Sequence, residues 1–241
     1  MTATLFLVYL AFIAIVVSAI VMRFLPPRAA FGVLAGLTAW LVYVGVLSYS
    51  GVVQDPAMRP PGAFLIVVPV FLFVLLVLVR SSAGLRFALA FPVWLTLALQ
   101  GFRVGVELLL HRIWLDGLAP RMLTYEGGNI DIVVGLSAPL AAWLSTTGRV
   151  GQRLALGWNI LGLLALANVI TRAALTAPGP LNFIHSEIPN LAIGTFPFTY
   201  IAGFFAPLAV VLHILAIRAL RAGSREAPSD TKFGDTSRQL P

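Results

Sequence analysis

The chain has 241 residues, of which 59% are hydrophobic and only 10% are charged, and its mean hydropathy is +0.96. A soluble domain cannot bury that much apolar surface, so the composition excludes a soluble protein and indicates one whose solvent is lipid. The net charge of +7 comes from short basic clusters between apolar runs, which argues against a nucleic-acid partner, and the absence of cysteine excludes disulfides and thiolate sites.

Apolar runs of about twenty residues, the length that crosses a bilayer as a helix, follow one another along the chain. Arg23 is the first basic residue and follows the first run, so we expect this run to be a retained span rather than a signal peptide. The predicted fold is an all-α transmembrane helical bundle over 1–221, followed by a disordered tail over 222–241. The predicted spans, about seven, are 4–22, 30–50, 62–79, 90–114, 130–146, 152–172 and 196–218, of which the fifth is the least certain to cross.

Arginine clusters and acidic residues alternate between successive loops. The loops that hold acids are those in which arginine is sparse, and the positive-inside rule then places the arginine clusters in the cytoplasm. This orientation puts the N-terminus outside and the C-terminus inside, in the cytoplasmic membrane of a bacterium. The cytoplasmic clusters are Arg23 with Arg28, Arg80 with Arg86, Arg149 with Arg153, and Arg218 with Arg221 and Arg225.

The fourth predicted span carries a stripe of polar residues. Gln100, Arg103, Glu107 and His111 are spaced three, four and four apart, which stacks them on one face of a helix. Because an unpaired charge in a bilayer costs at least about 2.5 kcal/mol, this face should point into the bundle. Two interpretations are open: an internal Arg103–Glu107 pair that holds helices together, or a polar cavity that opens outward through His111.

The loops on the outer side add further candidate residues. Asn129 and Asp131 fit best as capping residues at the start of the fifth span, whereas Tyr125 and Glu126 have no such local role and are candidates for a site. Over twenty residues without a helical pattern follow the sixth span, and a loop this long is functional, folded over a site, or a solvated cap. Near it lie Asn168, Arg172, Asn182, His185, Ser186, Glu187 and Asn190.

Three histidines raise the possibility of a metal or haem site. His213 lies roughly 24 Å deeper than His111 at 1.5 Å per residue, so a bis-histidine haem is disfavoured. His213 is expected to be a lone histidine that is bonded to a helix or reaches the cytoplasmic interface. His111, His185 and Glu187 could meet at the outer surface as a mixed metal site, which we keep as a minor alternative. A serine hydrolase built on Ser137 and His111 is weaker still.

The segments FRVGVELLLHRIWLDGLAPRMLTYEGGNIDIVVGLSAP and LNFIHSEIPN carry the patterns F-R-x-x-x-E-x-x-x-H and E-G-x-N-x-D-I. Together with the last span, FPFTYIAGFFAPLAVVLHILAIRAL, they resemble an uncharacterised bacterial family of multi-span membrane proteins. The resemblance extends over about residues 100–220. It implies the topology and assigns no catalytic role.

The functional prediction is an outward-facing polar cavity in spans four to seven that binds a small solute, lipid head group or hydrophobic substrate. Glu107 and His111 are the candidates for acid–base chemistry. A membrane enzyme at the same face and an assembly subunit are the alternatives, while cofactor and oligomeric state stay open. The candidate binding residues are Arg103, Arg112, Tyr125, Glu126, Asn168, Arg172 and Glu187.

Overall fold

The computed structural model describes residues 1–226, and the side chains of residues 1–223. This part of the chain is helical and contains no strand, so the all-α prediction is confirmed. Two short 3₁₀ turns, Arg121–Leu123 and Tyr125–Gly127, lie between α6 and α7. The α-helices are α1 Thr2–Phe24, α2 Pro27–Tyr49, α3 Phe64–Leu72, α4 Ser82–Leu89, α5 Val93–Ala98, α6 Phe102–Leu115, α7 Asp131–Leu144, α8 Gly148–Leu175 and α9 Ala206–Glu226.

Three short segments with a different hydrogen-bond pattern adjoin these α-helices. A π-helical segment, Phe73–Val79, extends α3, and a second one, Ile201–Phe205, leads into α9. The 3₁₀ turn Leu99–Gly101 joins α5 to α6, so the two run as one long helix. Pro69 inside α3 has no backbone N–H, and the Leu65 carbonyl four residues before it accepts a hydrogen bond from the Tyr43 hydroxyl at 3.1 Å instead.

Within residues 1–226, five helices are long and apolar enough to span a membrane, which supports a membrane protein. The exposed face of the first of them is apolar, as a lipid environment requires, with Val8 64% and Ile15 67% exposed. The third predicted span is Phe64–Val79, bent by 80° against α4, and the fifth is only the 14 residues of α7. The count of seven and the orientation therefore stay predictions. The five helices are Thr2–Phe24, Pro27–Tyr49, Val93–Leu115, Gly148–Leu175 and Ile201–Gly223.

The connection around Arg80 and Arg86 differs from the predicted linker because it forms helix α4. Ser81 is the N-cap residue of this helix, and its Oγ accepts a hydrogen bond from the Gly84 N–H at 2.9 Å. Arg218 of α9 donates to the carbonyls of Leu78 and Ser81 and so holds the corner between the π-helical segment and α4. Carbonyls freed at the bend thus gain a charged partner.

The end of the chain also differs from its prediction. Helix α9 continues to Glu226, so the first residues of the predicted tail over 222–241 are helical. Residues 227–241 lie outside the described part of the chain.

Aromatic side chains attach α1 and α2 to the rest of the bundle. The Tyr9 hydroxyl donates to the Phe102 carbonyl at 2.5 Å, and the Trp40 Nε1–H donates to the Gly203 carbonyl at 2.6 Å. Phe6, fully buried, packs edge-on against Phe198 and Phe205 with ring centroids 5.3 and 5.7 Å away. Helices α6 to α9 pack on one another and enclose the polar side chains described next.

Candidate functional site: a buried polar cluster beside an apolar cavity

Arg103 lies at the centre of a buried polar cluster. Arg103 is only 3% exposed, and its guanidinium forms an ion pair with Asp131 at the start of α7. Its Nη1 donates to His213 Nε2 of α9 at 3.1 Å. One side chain of α6 therefore joins α7 and α9, which the sequence separates widely.

His213 extends the cluster toward α8. Because an arginine can only donate, His213 Nε2 accepts and its Nδ1 carries the hydrogen, which it donates to Asn159 Oδ1 at 2.9 Å. Asn159 Nδ2 in turn donates to the Ala155 carbonyl at 2.9 Å. Both side chains are fully buried, so the hydrogen-bond directions along this branch are fixed by chemistry.

Glu107 and Asn129 form the other branch. Asn129 Nδ2 donates to Glu107 Oε1 at 2.7 Å and to the Leu123 carbonyl at 2.9 Å. Asn129 Oδ1 accepts from the backbone N–H of Asp131 at 3.1 Å. Asn129 thus lies one residue before the N-cap of α7, which is Ile130 and not Asn129 as predicted, and it binds the first backbone N–H of the helix while it positions the Glu107 carboxyl.

Several polar atoms of this cluster lack a hydrogen-bond partner among the described residues. They include Glu107 Oε2, Arg103 Nε and Gln100 Oε1, all of which are buried. A buried polar group without a partner costs about 1–3 kcal/mol, so a cluster with a purely structural role would be expected to pair them. Gln100 is bound on its other side, where Nε2 donates to the Ala209 carbonyl at 3.0 Å.

A cavity of about 420 Å³ lies beside the cluster and has Arg103, Glu107 and Asp131 in its wall. The volume falls within the range of small-molecule sites. Most of the remaining wall is apolar, unlike the polar cavity expected from the sequence. It also extends beyond the predicted spans four to seven, because α3 and the loop before it contribute to the wall. Representative apolar residues are Val67, Val106, Leu110, Leu166, Phe205 and Val210.

Two parts of the cavity wall reach the surface of the protein. Asp55 and Gln54, from the loop after α2, line the cavity and are exposed. Phe64 of α3 and Ile170 of α8 also line it, and each is 38% exposed on the apolar outside of the bundle. The cavity wall therefore includes both exposed loop residues and exposed apolar residues of α3 and α8.

The comparisons with known proteins agree with the resemblance seen in the sequence. The model of a domain of unknown function, DUF8737, matches residues 60–221. The chain belongs to the DUF8737 family. Its match contains every residue of the polar cluster and leaves α1 and α2 outside. No curated protein and no solved structure matches the chain.

Within the DUF8737 region, His111 lies apart from the cluster, near the other end of α6. Its ring stacks on Tyr125, with centroids 4.9 Å apart, and its Nδ1 is 3.7 Å from Glu126 Oε1. Arg121 Nε lies 3.7 Å from the second oxygen of Glu126. The candidate site requires Tyr125, Glu126 and His111 to lie close together, and they do. They lie at the outer end of the predicted fourth span, away from the polar cluster around Arg103.

Two other predicted site residues hold the loops of the DUF8737 region in place. Arg172 Nη1 reaches the carbonyls of Met122 and Gly127 at 3.3 and 3.5 Å. Glu187 Oε1 accepts from the backbone N–H of Arg121 at 2.7 Å. Both side chains tie the α6–α7 loop to neighbouring segments and do not line the cavity.

The remaining predicted residues of the DUF8737 region stand apart from the cluster. Arg112, Asn168 and His185 are exposed and do not line the cavity. His185 and Glu187 do not join His111, and the described residues contain no group of three or more histidines, aspartates and glutamates placed to hold a metal. Ser137 Oγ accepts from Trp158 Nε1 at 2.9 Å and donates to the Val133 carbonyl, so it is bonded away from His111.

Three sequence interpretations need correction. Arg103 pairs with Asp131 rather than with Glu107, because Asp131 at the start of α7 faces α6. For the same reason Asp131 is more than a helix-capping residue. His213 is bonded to a helix, as one of its two expected environments required, but it joins two helices and a charged side chain, since α9 brings it against Arg103 of α6 and Asn159 of α8. Asn159 was missed, although an asparagine in the middle of an apolar span is itself a signal of a buried polar contact.

Proposed function

We propose that this chain is an integral membrane protein that binds a small amphipathic molecule in the cavity beside the Arg103 cluster. The proposal includes seven spans, with the N-terminus outside and the C-terminus in the bacterial cytoplasm. The observation that carries it is an apolar cavity of about 420 Å³ whose wall contains unpartnered buried atoms of Arg103 and Glu107. A ligand with one polar end and an apolar body matches both kinds of wall.

The distribution of polarity favours binding over a purely structural role. Ligand sites are concave, mostly apolar, and contain a few polar groups that fix the orientation of the ligand. The polar groups here are held rigidly, since Asn129 positions Glu107 and both Asp131 and His213 bind Arg103. Pre-positioned groups reduce the entropy cost of binding.

The surface-exposed parts of the wall suggest how such a molecule enters. The exposed apolar residues Phe64 and Ile170 lie where a lipid-dissolved molecule meets the cavity from the bilayer. Its polar end would then pass toward Glu107, while the apolar body stays among side chains such as Val106 and Leu110.

Filling the cavity tests this function. Ala173 of α8 lines the cavity, whereas Ala167 lies on the exposed side of the same helix. We expect native mass spectrometry of the protein, purified in a neutral detergent from its own membranes, to detect a bound small molecule of fixed mass. Ala173→Phe should remove that mass and Ala167→Phe should keep it. Equal retention by both variants, or no added mass in the unaltered protein, would refute the proposal.

A further inference from the structure

We infer that the ligand of this cavity is an amphipathic cation, a protonated amine on an apolar body, with Glu107 as its counter-ion. The inference rests on the proposed binding function and assigns the ligand class. Among the residues that line the cavity, three carry carboxyl groups, Asp55, Glu107 and Asp131, and one, Arg103, carries a positive charge. The polar part of the wall therefore has an excess of acid.

The carboxyl group without a compensating positive charge is that of Glu107. Asp131 has two favourable partners, the Arg103 guanidinium and the N-terminal end of α7, where the helix dipole favours negative charge. Glu107 has a neutral partner on one oxygen, the amide of Asn129, and no hydrogen-bond partner on Oε2 among the described residues. Glu107 is also only 2% exposed, so water does not solvate its free oxygen well.

A protonated amine fits this free oxygen best. A buried carboxylate is costly unless an opposite charge accompanies it, and an ammonium group supplies both the charge and N–H donors. A neutral head group would satisfy the hydrogen bond but would leave the carboxyl without an opposite charge, so that Glu107 would be stable only in its protonated form. An anionic head group would meet Arg103, but that cation is already shared with Asp131 and the anion would face Glu107 as well.

The exposed loop part of the cavity wall carries the same sign of charge. Asp55 lies in the wall and is exposed, and its carboxyl accepts the backbone N–H of Ala57 at 2.9 Å, which fixes its position. Arg59 in the same loop does not line the cavity, because its guanidinium turns onto the carbonyls of Pro56 and Met58. A carboxylate in the loop part of the wall attracts cations into the cavity and repels anions.

Three probes of equal length and different charge test the inference: octylamine, octanol and octanoate. Alkyl amines are protonated at neutral pH, as lysine is. We expect octylamine to raise the Tm of the full chain in a neutral detergent in a saturable way. Its apparent affinity should exceed that of octanol by about tenfold or more, and octanoate should give no saturable shift. Ala173→Phe should abolish the shift, which separates binding in the cavity from partition into the micelle.

Two matched variants assign the preference to one carboxyl. Glu107→Gln keeps the size of the side chain and should reduce octylamine binding to the level of octanol. Glu126→Gln, a carboxyl that does not line the cavity, should keep the full preference. The three-probe comparison on the unaltered protein needs no variant, so it decides the question even where Glu107→Gln does not fold.

The outcomes separate the two proposals. Equal shifts with octylamine and octanol, or a larger shift with octanoate, overturn the cationic ligand and leave a binding cavity. Saturable shifts that Ala173→Phe does not change, or no saturable shift with any probe, overturn the cavity itself and the ligand class with it.

Discussion

The side chain of Arg103 connects three helices, α6, α7 and α9. It leaves α6, pairs with Asp131 of α7 and bonds His213 of α9. A buried ion pair contributes little net stability compared with apolar packing, but the loss of one partner leaves an uncompensated buried charge. The role of Arg103 is therefore to fix the positions of these helices relative to one another. The loss of its side chain should lower the stability of the folded protein.

Replacing Arg103 should strongly destabilise the protein. Arg103→Gln leaves Asp131 buried without its cation, so we expect the free energy of unfolding to fall by about 3–5 kcal/mol. Titration with sodium dodecyl sulfate in mixed micelles, followed by circular dichroism, measures this change. Arg112→Gln is the control, since Arg112 lies on the same helix and is exposed, and it should change stability by less than about 0.5 kcal/mol. Similar losses in both variants would refute the special role of Arg103.

Gly162 of α8 makes room for the His213 ring. A Cβ built at Gly162 would lie 2.5 Å from His213 Cε1 and 2.8 Å from Nε2. Gly162→Ala must therefore move the ring and weaken its bonds to Arg103 and Asn159, at a cost of about 1–3 kcal/mol. The titration with sodium dodecyl sulfate described for Arg103→Gln measures this loss of stability.

Gly157 provides the matched control on the same helix. A Cβ built at Gly157 has nothing within 4 Å, so Gly157→Ala should leave stability unchanged or raise it by about 0.5–1 kcal/mol through helix propensity. If Gly162→Ala behaves like Gly157→Ala, the close approach of α8 to His213 does not hold.

At the scale of the helices, the bend between the π-helical segment Phe73–Val79 and α4 is held from outside. Arg218 of α9 donates to the Leu78 and Ser81 carbonyls at the corner. A Cβ built at Gly84 would lie 2.7 Å from Arg218 Nη1, so the small residue allows the guanidinium to reach the corner. The bend thus depends on a contact between elements far apart in the sequence.

Removing Arg218 should loosen this corner. Hydrogen bonds from a charged donor contribute about 1.5–3 kcal/mol, so Arg218→Ala should lower the free energy of unfolding by about that amount. Arg221→Ala, three residues further on the exposed side of α9, should have little effect. We also expect faster hydrogen exchange of the α4 amides in Arg218→Ala, and unchanged exchange there would contradict the assigned contact.

At the scale of the whole molecule, the arginine distribution predicts which loops face the cytoplasm. The chain has no cysteine, so single cysteines can be introduced into the unaltered protein. A membrane-impermeant maleimide applied to intact cells should label Ser186→Cys in the long loop after α8. It should label Thr146→Cys, between α7 and α8, only after the membrane is opened. The reverse pattern would invert the orientation, and external labelling of both would contradict the seven-span arrangement.

Sequence alone determined the class of the molecule and much of its division into helices. Hydropathy located all five helices long enough to span a membrane, because the length and polarity of a span are properties of consecutive residues. The three-and-four spacing also indicated a buried polar stripe, since residues of one helix share a fixed geometry. Gln100, Arg103 and Glu107 are buried, whereas His111, the fourth member, is only partly buried.

Only the tertiary structure decided which groups meet. The pairing of Arg103 with Asp131 and His213, and of His213 with Asn159, depends on the rotation and depth of α7, α8 and α9 relative to α6. Periodicity within one helix contains no information on those quantities. The depth counted from residue 196 placed His213 too far from the outer surface. The last helical segment begins at Ile201, which moves His213 about 7 Å closer to the level of Arg103, eight residues before His111, and the two side chains meet at 3.1 Å. The cavity likewise arises between helices and loops, from space that no single segment encodes.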